Sequence, residues 1–414
     1  MTPFSSFRKD KSSERKIYWM SFVIRCGYGL TAWWLTMHST LSFFEDALYY
    51  YQAGIAIAQE WLASGSSVTF TAMMRESNVH HAWGVILLIT FFSVLGNGLK
   101  SMPILMVLYA LITSWAPVIT YKIARVLGIA PASSFIAALL VVFSPCFAFW
   151  GGTLYKDGLV FLVLNLIVYH TLLLQKRLRV FSIAIIVLLM FYLLTLRFYM
   201  PIFLLPSLGL GLLLGHRRKD ANAASRPTPL FAVLLKQGLI IIFLAAILTM
   251  LGLYKRIEAM IPMGINDMLQ NAQGVRDDFS RRALSGYLVG ADLSSLVSML
   301  KYLPTGVAYF LTVPFPWQLG SMRQNLIWPE MIFWLPLYPV ILLGMKRGLR
   351  LNFQGSVLLM TITIIMSCGY GLYVGNVGTA YRMRSQIWLF WVIFVGWYHE
   401  KKSLKIPRGP SVSR

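Results

Sequence analysis

The sequence has few charged residues, and very few acidic ones. Only 13% of its 414 residues are charged, and 15 Asp and Glu stand against 37 Lys and Arg. By contrast, 57% are hydrophobic and the mean hydropathy is +0.65. Soluble domains are about a quarter charged and about half apolar. The shortage of charge excludes an ordinary soluble domain, and the apolar content excludes a disordered chain. We therefore expect a polytopic membrane protein.

Cysteine is also scarce. Cys26, Cys146 and Cys368 are odd in number and far apart, so they indicate neither a disulfide framework nor a zinc site. No cleavable signal is evident, because the apolar run 17–38 is too long and contains Arg25. We predict a retained first span, in which Arg25 is functional or needs an acidic partner.

Long apolar runs are abundant. A spanning helix needs about 20 mostly apolar residues. The runs that approach this length are 17–38, 102–121, 131–150, 158–174, 180–196, 199–215, 229–253, 327–345, 354–373 and 386–398. Three other stretches are amphipathic or contain proline: 47–63, 82–98 and 293–318. We therefore predict an all-α, polytopic transmembrane helix bundle of about 10 spans, with interfacial or re-entrant helices on the extracytoplasmic side.

The distribution of charge predicts the topology and the domain organisation. Lys and Arg concentrate in cytoplasmic loops, and a cytoplasmic N-terminus places most basic residues on that side with few acids. The net charge of +22 is thereby explained without nucleic acid as a partner. The predicted regions are a cytoplasmic basic N-terminus (1–16), a transmembrane module (17–215) with outer loop 39–101, a second module (216–400) with outer loop 254–326, and a cytoplasmic basic tail (401–414).

The outer loops contain acidic candidates for catalysis. Glu45 and Asp46 begin a stretch whose apolar residues recur every four positions, which predicts an interfacial helix with carboxylates at its N-terminus. Asp46 could equally be a helix cap. Asp157 lies where two spans meet, and with Lys156 it forms either a site or an ordinary solvated pair.

Basic residues on the outer side need an explanation, because the positive-inside rule disfavours them there. Arg382 and Arg384 follow Tyr381 between the last two spans, and Arg197 lies at another outer junction. Guanidinium groups match phosphate geometry, so these residues would suit a lipid phosphate. Snorkelling to headgroups is the alternative.

His80 and His81 are a possible metal pair with Asp46. Adjacent residues point in different directions, so two ligands to one ion are not expected from them. We instead assign them an interfacial or acceptor-binding role. We predict no metal cofactor, although a divalent ion between Asp46, Glu45 and Asp157 is a possibility.

Several short motifs follow one another in a recognisable order. They are Glu45-Asp46 with Tyr49-Tyr50 and Ala53, His80-His81 with Gly96, Gly98 and Lys100, the basic turn from Lys122 to Gly128, Ser144-Pro145, and Asp157. This order resembles the GT-C superfamily of polytopic glycosyltransferases, of the dolichyl-phosphate-mannose protein mannosyltransferase and aminoarabinose transferase type. The resemblance covers residues 17–215 and departs from the family where prolines are expected after His81.

The resemblance implies transfer of a sugar from a polyprenyl-phosphate donor to a lipid, glycan or protein acceptor outside a bacterial plasma membrane. Asp46 would be the general base, with the carboxylates of Glu45 and Asp157 as further catalytic candidates. The arginines and Lys156 would bind the phosphate, while Tyr49, Tyr50 and Tyr381 would contact substrate. This role for Arg382 and Arg384 depends on topology and chemistry, because the family diverges in its C-terminal half.

Three alternatives remain. A polymerase or ligase of undecaprenyl-diphosphate-linked glycans would depend on arginine or histidine, and Arg276, Arg281 and Arg282 lie in the long outer loop. A lipid or sugar transporter would place charges near the midplane, often in repeated halves, and no repeat is visible here. A scaffold would need no charged outer site.

Overall fold

The computed structural model describes residues 3–39, 43–64, 82–176, 179–216, 273–278, 280–281, 285–320 and 322–400. The α-helices are α1 (Pro3–His38), α2 (Glu45–Ser64), α3 (Trp83–Leu95), α4 (Met102–Thr113), α5 (Trp115–Val126), α6 (Pro131–Phe143), α7 (Pro145–Gly152), α8 (Lys156–Lys176), α9 (Val180–Leu196), α10 (Met200–His216), α11 (Leu296–Thr312), α12 (Met322–Trp334), α13 (Leu337–Leu351), α14 (Phe353–Tyr373) and α15 (Val377–His399). No strand occurs in these ranges, so the all-helical class is confirmed for them.

Several of the helices could cross a membrane. Met102–Val126 (α4 with α5), α8 and α14 are long and apolar enough on their own. Two bent pairs, α6 with α7 and the Gln324–Trp334 part of α12 with α13, raise the number to five if each pair is one span. Helices α3, α9 and α10 are apolar but shorter. Ten spans are therefore not established, and the predicted segment 229–253 lies outside the described residues.

Two predicted spans are broken helices. The predicted run 131–150 bends by 61° between α6 and α7, and the run 327–345 bends by 44° between α12 and α13. Pro145 begins α7, and Pro336 directly precedes α13. Proline lacks the N–H that a helix interior needs and clashes with the preceding turn, so each helix ends and restarts there.

Helix α15 lies at the centre of the bundle. It is buried on all sides for most of its length and packs against α5, α6, α8, α11, α12, α13 and α14. A helix that is apolar all round belongs in such a position. It therefore carries the polar residues of its first turns, among them Arg382, into the bundle.

Charged residues that were expected in the cytoplasm gather at one end of the bundle. Lys122 pairs with Glu14 at 3.2 Å and Arg125 with Asp10 at 3.2 Å. At the same end, the amide of Ala130 donates to Glu400 at 2.9 Å. Residues that the sequence assigned to one face are thus grouped together at one end of the helices.

Helices α1 and α7 approach closely through glycines. A Cβ atom on Gly29 would lie 2.3 Å from the Gly152 carbonyl oxygen, and one on Gly152 would lie 2.0 Å from that of Arg25. Small residues allow such backbone contact between membrane helices. The contact holds α7, and with it the start of α8, against the first helix.

We predict that Gly29→Ala destabilises the protein, because the added methyl group would force α1 and α7 apart. Overpacking of this kind costs about 1–3 kcal/mol, or more against rigid backbone. Thermal unfolding of the detergent-purified protein measures the effect. Gly27→Ala is the matched control on the same helix, since its Cβ would meet nothing within 4 Å. Equal melting temperatures for the two variants would contradict the prediction.

Candidate functional site

Four charged side chains, far apart in sequence, form one network. Arg382 on α15 donates from Nη1 to Asp46 Oδ2 on α2 at 2.8 Å, and from Nε to Asp157 Oδ2 on α8. Arg197, between α9 and α10, donates from Nη2 to Asp157 Oδ1. We call Asp46, Arg382, Asp157 and Arg197 the ion-pair network. It joins the N-terminal ends of α2, α8 and α15 to the α9–α10 junction.

The network runs from the protein interior to an accessible surface. The side chain of Asp157 is 0% exposed and that of Arg197 is 4% exposed. Exposure rises to 17% at Arg382 and to 47% at Asp46. A buried carboxylate is stable as an ion only when it is paired and hydrogen-bonded, and two guanidinium groups meet that need for Asp157. Asp46 is therefore the most accessible member of the network, and Arg382 is the next.

Aromatic rings enclose Arg382. Its guanidinium carbon lies 5.4 Å from the ring centre of Trp150 and 5.3 Å from that of Tyr155. The Tyr155 hydroxyl donates to the Phe43 carbonyl at 2.9 Å, which fixes the ring in front of α2. Burial, followed by the nearby Asp46 carboxylate, raises the pKa of Tyr50 to about 12. The rings shield one side of the network from water and orient the guanidinium.

Two N–H groups of the network have no hydrogen-bond partner among the described residues. They are Nη2 of Arg382 and Nε of Arg197, and both are buried. A buried donor without a partner is costly, and each instance calls for an explanation such as an absent ligand. Guanidinium donors prefer anionic oxygen, so these two N–H groups match the chemistry of a phosphate or carboxylate group.

The backbone around Asp157 is held rigidly. The Tyr109 hydroxyl donates to the Tyr155 carbonyl and accepts from the Leu159 amide at 3.2 Å, so it bridges the turn that precedes α8. Gly158 has no room for a side chain, because its Cβ would lie 2.7 Å from the Trp150 carbonyl oxygen. Asp157 is thus placed by packing as well as by charge, as precise sites require.

Other residues that the sequence indicated lie around the network. Lys156 begins α8 next to Asp157 and is partly buried. Glu45 is exposed in the first turn of α2. Tyr49 is half-buried and makes an edge-to-face contact with Tyr50 at 6.1 Å between ring centres. His80 and His81 lie outside the described residues.

Arg384 and Tyr381 are directed away from the network. Arg384 is 0% exposed and donates to the carbonyls of Phe310 at 2.7 Å and Val313 at 2.6 Å. Residues two apart on a helix do not share a face, so Arg382 and Arg384 cannot both reach one phosphate. The structure therefore brings Arg382 and Arg197 together but assigns Arg384 to the anchoring of the α11 C-terminus.

Tyr381 contacts Glu330, a buried acid that no motif in the sequence indicated. Glu330 on α12 is 4% exposed and accepts hydrogen bonds from the Tyr381 and Ser144 hydroxyls, from the Cys146 amide at 3.0 Å and from the Trp334 indole at 3.3 Å. It thereby satisfies the N-terminus of α7 at the 61° bend and joins that bend to α15. An acid inside the apolar run 327–345 was the available signal, because intramembrane acids are rare.

Arg25 has no ion-pair partner in the part of the chain that the structure describes. It is 1% exposed, and both of its terminal nitrogens lack a hydrogen-bond partner there. A Cβ on Gly151 would lie 2.5 Å from Nη1 of Arg25, so the glycine makes room for the guanidinium. Of the two alternatives for this residue, an acidic partner is not found in the described ranges.

No group of three His, Cys, Asp or Glu side chains within the described ranges is placed to hold a metal ion. No protein-family model matches the chain, and comparison with curated proteins finds no match.

We predict that Asp157→Asn lowers the stability markedly, because it leaves two buried guanidinium groups without their counter-charge. Removing one partner of a buried ion pair costs about 3–5 kcal/mol. Thermal unfolding in detergent measures the loss. Asp46→Asn is the comparison, since it removes a half-exposed carboxylate and should cost about 1 kcal/mol or less. A smaller loss in Asp157→Asn than in Asp46→Asn would contradict the assignment.

Proposed function

We propose that the protein is a membrane glycosyltransferase that moves a sugar from a polyprenyl-phosphate-linked donor to a lipid, glycan or protein acceptor on the extracytoplasmic side. The observation that carries the proposal is an accessible carboxylate, Asp46, held against a guanidinium, Arg382, that has a donor to spare. Transfer of a glycosyl group needs a base for the acceptor hydroxyl and positive charge for the departing phosphate. Both groups lie side by side here.

In the proposed reaction, Asp46 accepts the proton of the acceptor hydroxyl while the hydroxyl oxygen forms a bond to the anomeric carbon. The bond between that carbon and the phosphate oxygen breaks, and the electron pair leaves with the phosphate. Arg382, the next most exposed member of the network, would donate to the departing phosphate, whose negative charge grows during the step. The phosphate leaves as an anion and needs no acid.

Asp157 has a positioning role in this proposal. Both of its carboxylate oxygens accept from guanidinium groups, and the side chain is inaccessible. It holds Arg197 and Arg382 at a fixed separation before the substrate arrives. Such preorganised charge costs no reorganisation at the moment of reaction.

The proposed topology has ten spans with both termini in the cytoplasm. Helices α1, α4–α5, α6–α7, α8, α9, α10, α12–α13, α14 and α15 coincide with nine of the ten predicted segments. The ion-pair network lies at the end of the bundle opposite Lys122 and Arg125. Because the positive-inside rule assigns those basic residues to the cytoplasm, it assigns the network to the outer face.

A polymerase or ligase acting on undecaprenyl-diphosphate-linked glycans is the second candidate. Arg276 favours it, because this residue of the outer loop is 1% exposed and its Nε and Nη2 atoms have no partner among the described residues. That reaction would depend on an arginine, whereas the transferase depends on a carboxylate. Substitution of Asp46 therefore separates the two.

We predict that Asp46→Asn lowers the turnover of donor lipid by about 10²–10⁴-fold, the usual contribution of a positioned base. Mass analysis of lipid-linked glycans in cells that lack the protein, complemented with each variant, gives the readout. Glu60→Gln is the matched control, because it removes an exposed carboxylate from the same helix. Full complementation by Asp46→Asn would overturn the transferase proposal and favour the arginine-dependent alternative.

We predict that Arg382→Lys lowers kcat/KM for the donor lipid at least about tenfold, although the positive charge is kept. Lysine cannot contact Asp46, Asp157 and a phosphate together, because it lacks the planar fork of donors. Steady-state kinetics with purified donor measure the loss. Arg281→Lys serves as the control, since that outer-loop side chain is 64% exposed and pairs weakly with Asp277 at 3.6 Å. Unchanged kinetics in Arg382→Lys would remove this residue from the phosphate site.

A further inference from the structure

Helix α13 packs one face against the bundle and leaves the opposite face outward. Gly344 and Gly348 lie against α15, and a Cβ on Gly344 would come within 2.0 Å of a backbone carbonyl oxygen of that helix. Each residue turns an α-helix by about 100°, so positions two residues away lie on the opposite face. Leu342, Lys346 and Arg350 occupy that outward face, and all three are exposed. We call these three residues the α13 strip.

The α13 strip changes from apolar to basic along its length. Leu342 is 65% exposed, and its neighbour Leu343 is 52% exposed. Lys346 and Arg350 follow at intervals of four residues and lie in the last turns of the helix. Because α12 and α13 together form one bent candidate span, the two leucines lie deeper along that span than the two cations do. An apolar surface followed by positive charge matches the order of acyl chain and headgroup in an anionic lipid.

The positive charge of the strip has no counter-charge in the described part of the chain. The carboxylates at this end of the bundle are engaged elsewhere, Asp10 with Arg125, Glu14 with Lys122 and Glu400 with the amide of Ala130. No ion pair within the described ranges includes Lys346 or Arg350. Like charges four residues apart on a helix destabilise it, so an anion between these two side chains would relieve their repulsion.

A third cation lies near the end of the strip. The Lys176 ammonium donates to the Val126 carbonyl at 2.6 Å, and the Asn352 side-chain amide donates to the adjacent Leu127 carbonyl at 3.1 Å. Asn352 follows Arg350 by two residues, so the ends of α8 and α13 meet at the same turn. The exposed Lys176 therefore adds to the positive potential at the basic end of the strip.

We infer that the α13 strip binds one anionic phospholipid, with the phosphate between Lys346 and Arg350 and an acyl chain along Leu342 and Leu343. The Arg350 guanidinium can donate to two phosphate oxygens at once, and the Lys346 ammonium adds a point charge. Basic residues that cluster beside a span attract anionic headgroups. The strip lies at the end of the bundle opposite the ion-pair network, so this inference does not depend on the proposed transferase function.

Native mass spectrometry of the full-length protein in a non-ionic detergent tests the inference. The probe is dioleoyl phosphatidylglycerol, compared with dioleoyl phosphatidylcholine, which has the same chains and no net charge. We predict saturable binding of phosphatidylglycerol, at least about tenfold tighter than that of phosphatidylcholine and weakened at least about tenfold by Lys346→Gln/Arg350→Gln. Lys100→Gln/Arg281→Gln is the matched control, because it removes two exposed cations from the other end of the bundle.

Two further measurements separate lipid binding from phosphate binding and from unfolding. Glycerol 1-phosphate, the headgroup phosphate without acyl chains, should bind at least about tenfold more weakly than phosphatidylglycerol, because no chain contacts the leucines. Leu342→Gln should weaken the binding of phosphatidylglycerol and leave that of glycerol phosphate unchanged. The lipid-free melting temperature of Lys346→Gln/Arg350→Gln should not fall, because both side chains are exposed and the change removes a like-charge pair.

Several results would overturn the lipid site. Equal affinity for the two lipids would do so, as would unchanged binding of phosphatidylglycerol in Lys346→Gln/Arg350→Gln. An equal loss in Lys100→Gln/Arg281→Gln would show that net charge alone attracts the lipid. Glycerol phosphate binding as tight as that of phosphatidylglycerol would assign the cations to a soluble phosphate compound instead. Asp46→Asn should bind phosphatidylglycerol as the unsubstituted protein does, so its loss of catalysis tests the transferase proposal separately.

Discussion

The pairing of Asp157 with two arginines is the interaction on which the rest of the candidate site depends. A carboxylate with no exposed surface must have counter-charge in contact with it, so α8, the α9–α10 junction and α15 have to meet at that point. Glycines and the Tyr109 hydroxyl remove the remaining freedom of the turn before α8. The cost of burying charge thus defines the geometry of the site, and close packing and hydrogen bonds between the helices offset it.

From the buried Asp157, a chain of side-chain contacts extends outward to the surface. Arg382 connects Asp157 to Asp46, and so attaches the amphipathic helix α2 to the bundle through its N-terminal end. Next to it on α15, Tyr381 connects to Glu330, which also bonds the start of α7. Two adjacent residues of one helix therefore anchor different neighbours on different faces. This arrangement places the accessible carboxylate of Asp46 next to the guanidinium of Arg382, whose Nη2 has no hydrogen-bond partner among the described residues.

Much of the helical architecture could be predicted from sequence, because an apolar run of sufficient length has few other structures in a membrane. The exceptions have local causes. The runs 131–150 and 327–345 read as continuous helices by hydropathy, yet Pro145 and Pro336 break them. Within the site, Asp46 and Asp157 were indicated as acids of the predicted outer loops, and Arg197 and Arg382 were indicated by positive charge that topology did not explain. Arg384 was indicated by the same argument, but its side chain contacts α11. Hydropathy does not specify which neighbouring helix a given residue of a span will face.

The apolar composition and the long apolar runs by themselves predicted a helical chain with segments apolar enough to cross a membrane, because both depend only on the cost of placing polar groups in an apolar phase. Only the tertiary structure decided which charges meet. Arg382 contacts carboxylates 336 and 225 positions away, and Glu330 is satisfied by donors from three separate helices. The free energy of such contacts varies with distance and burial over a few ångströms, and neither quantity exists until the helices have packed.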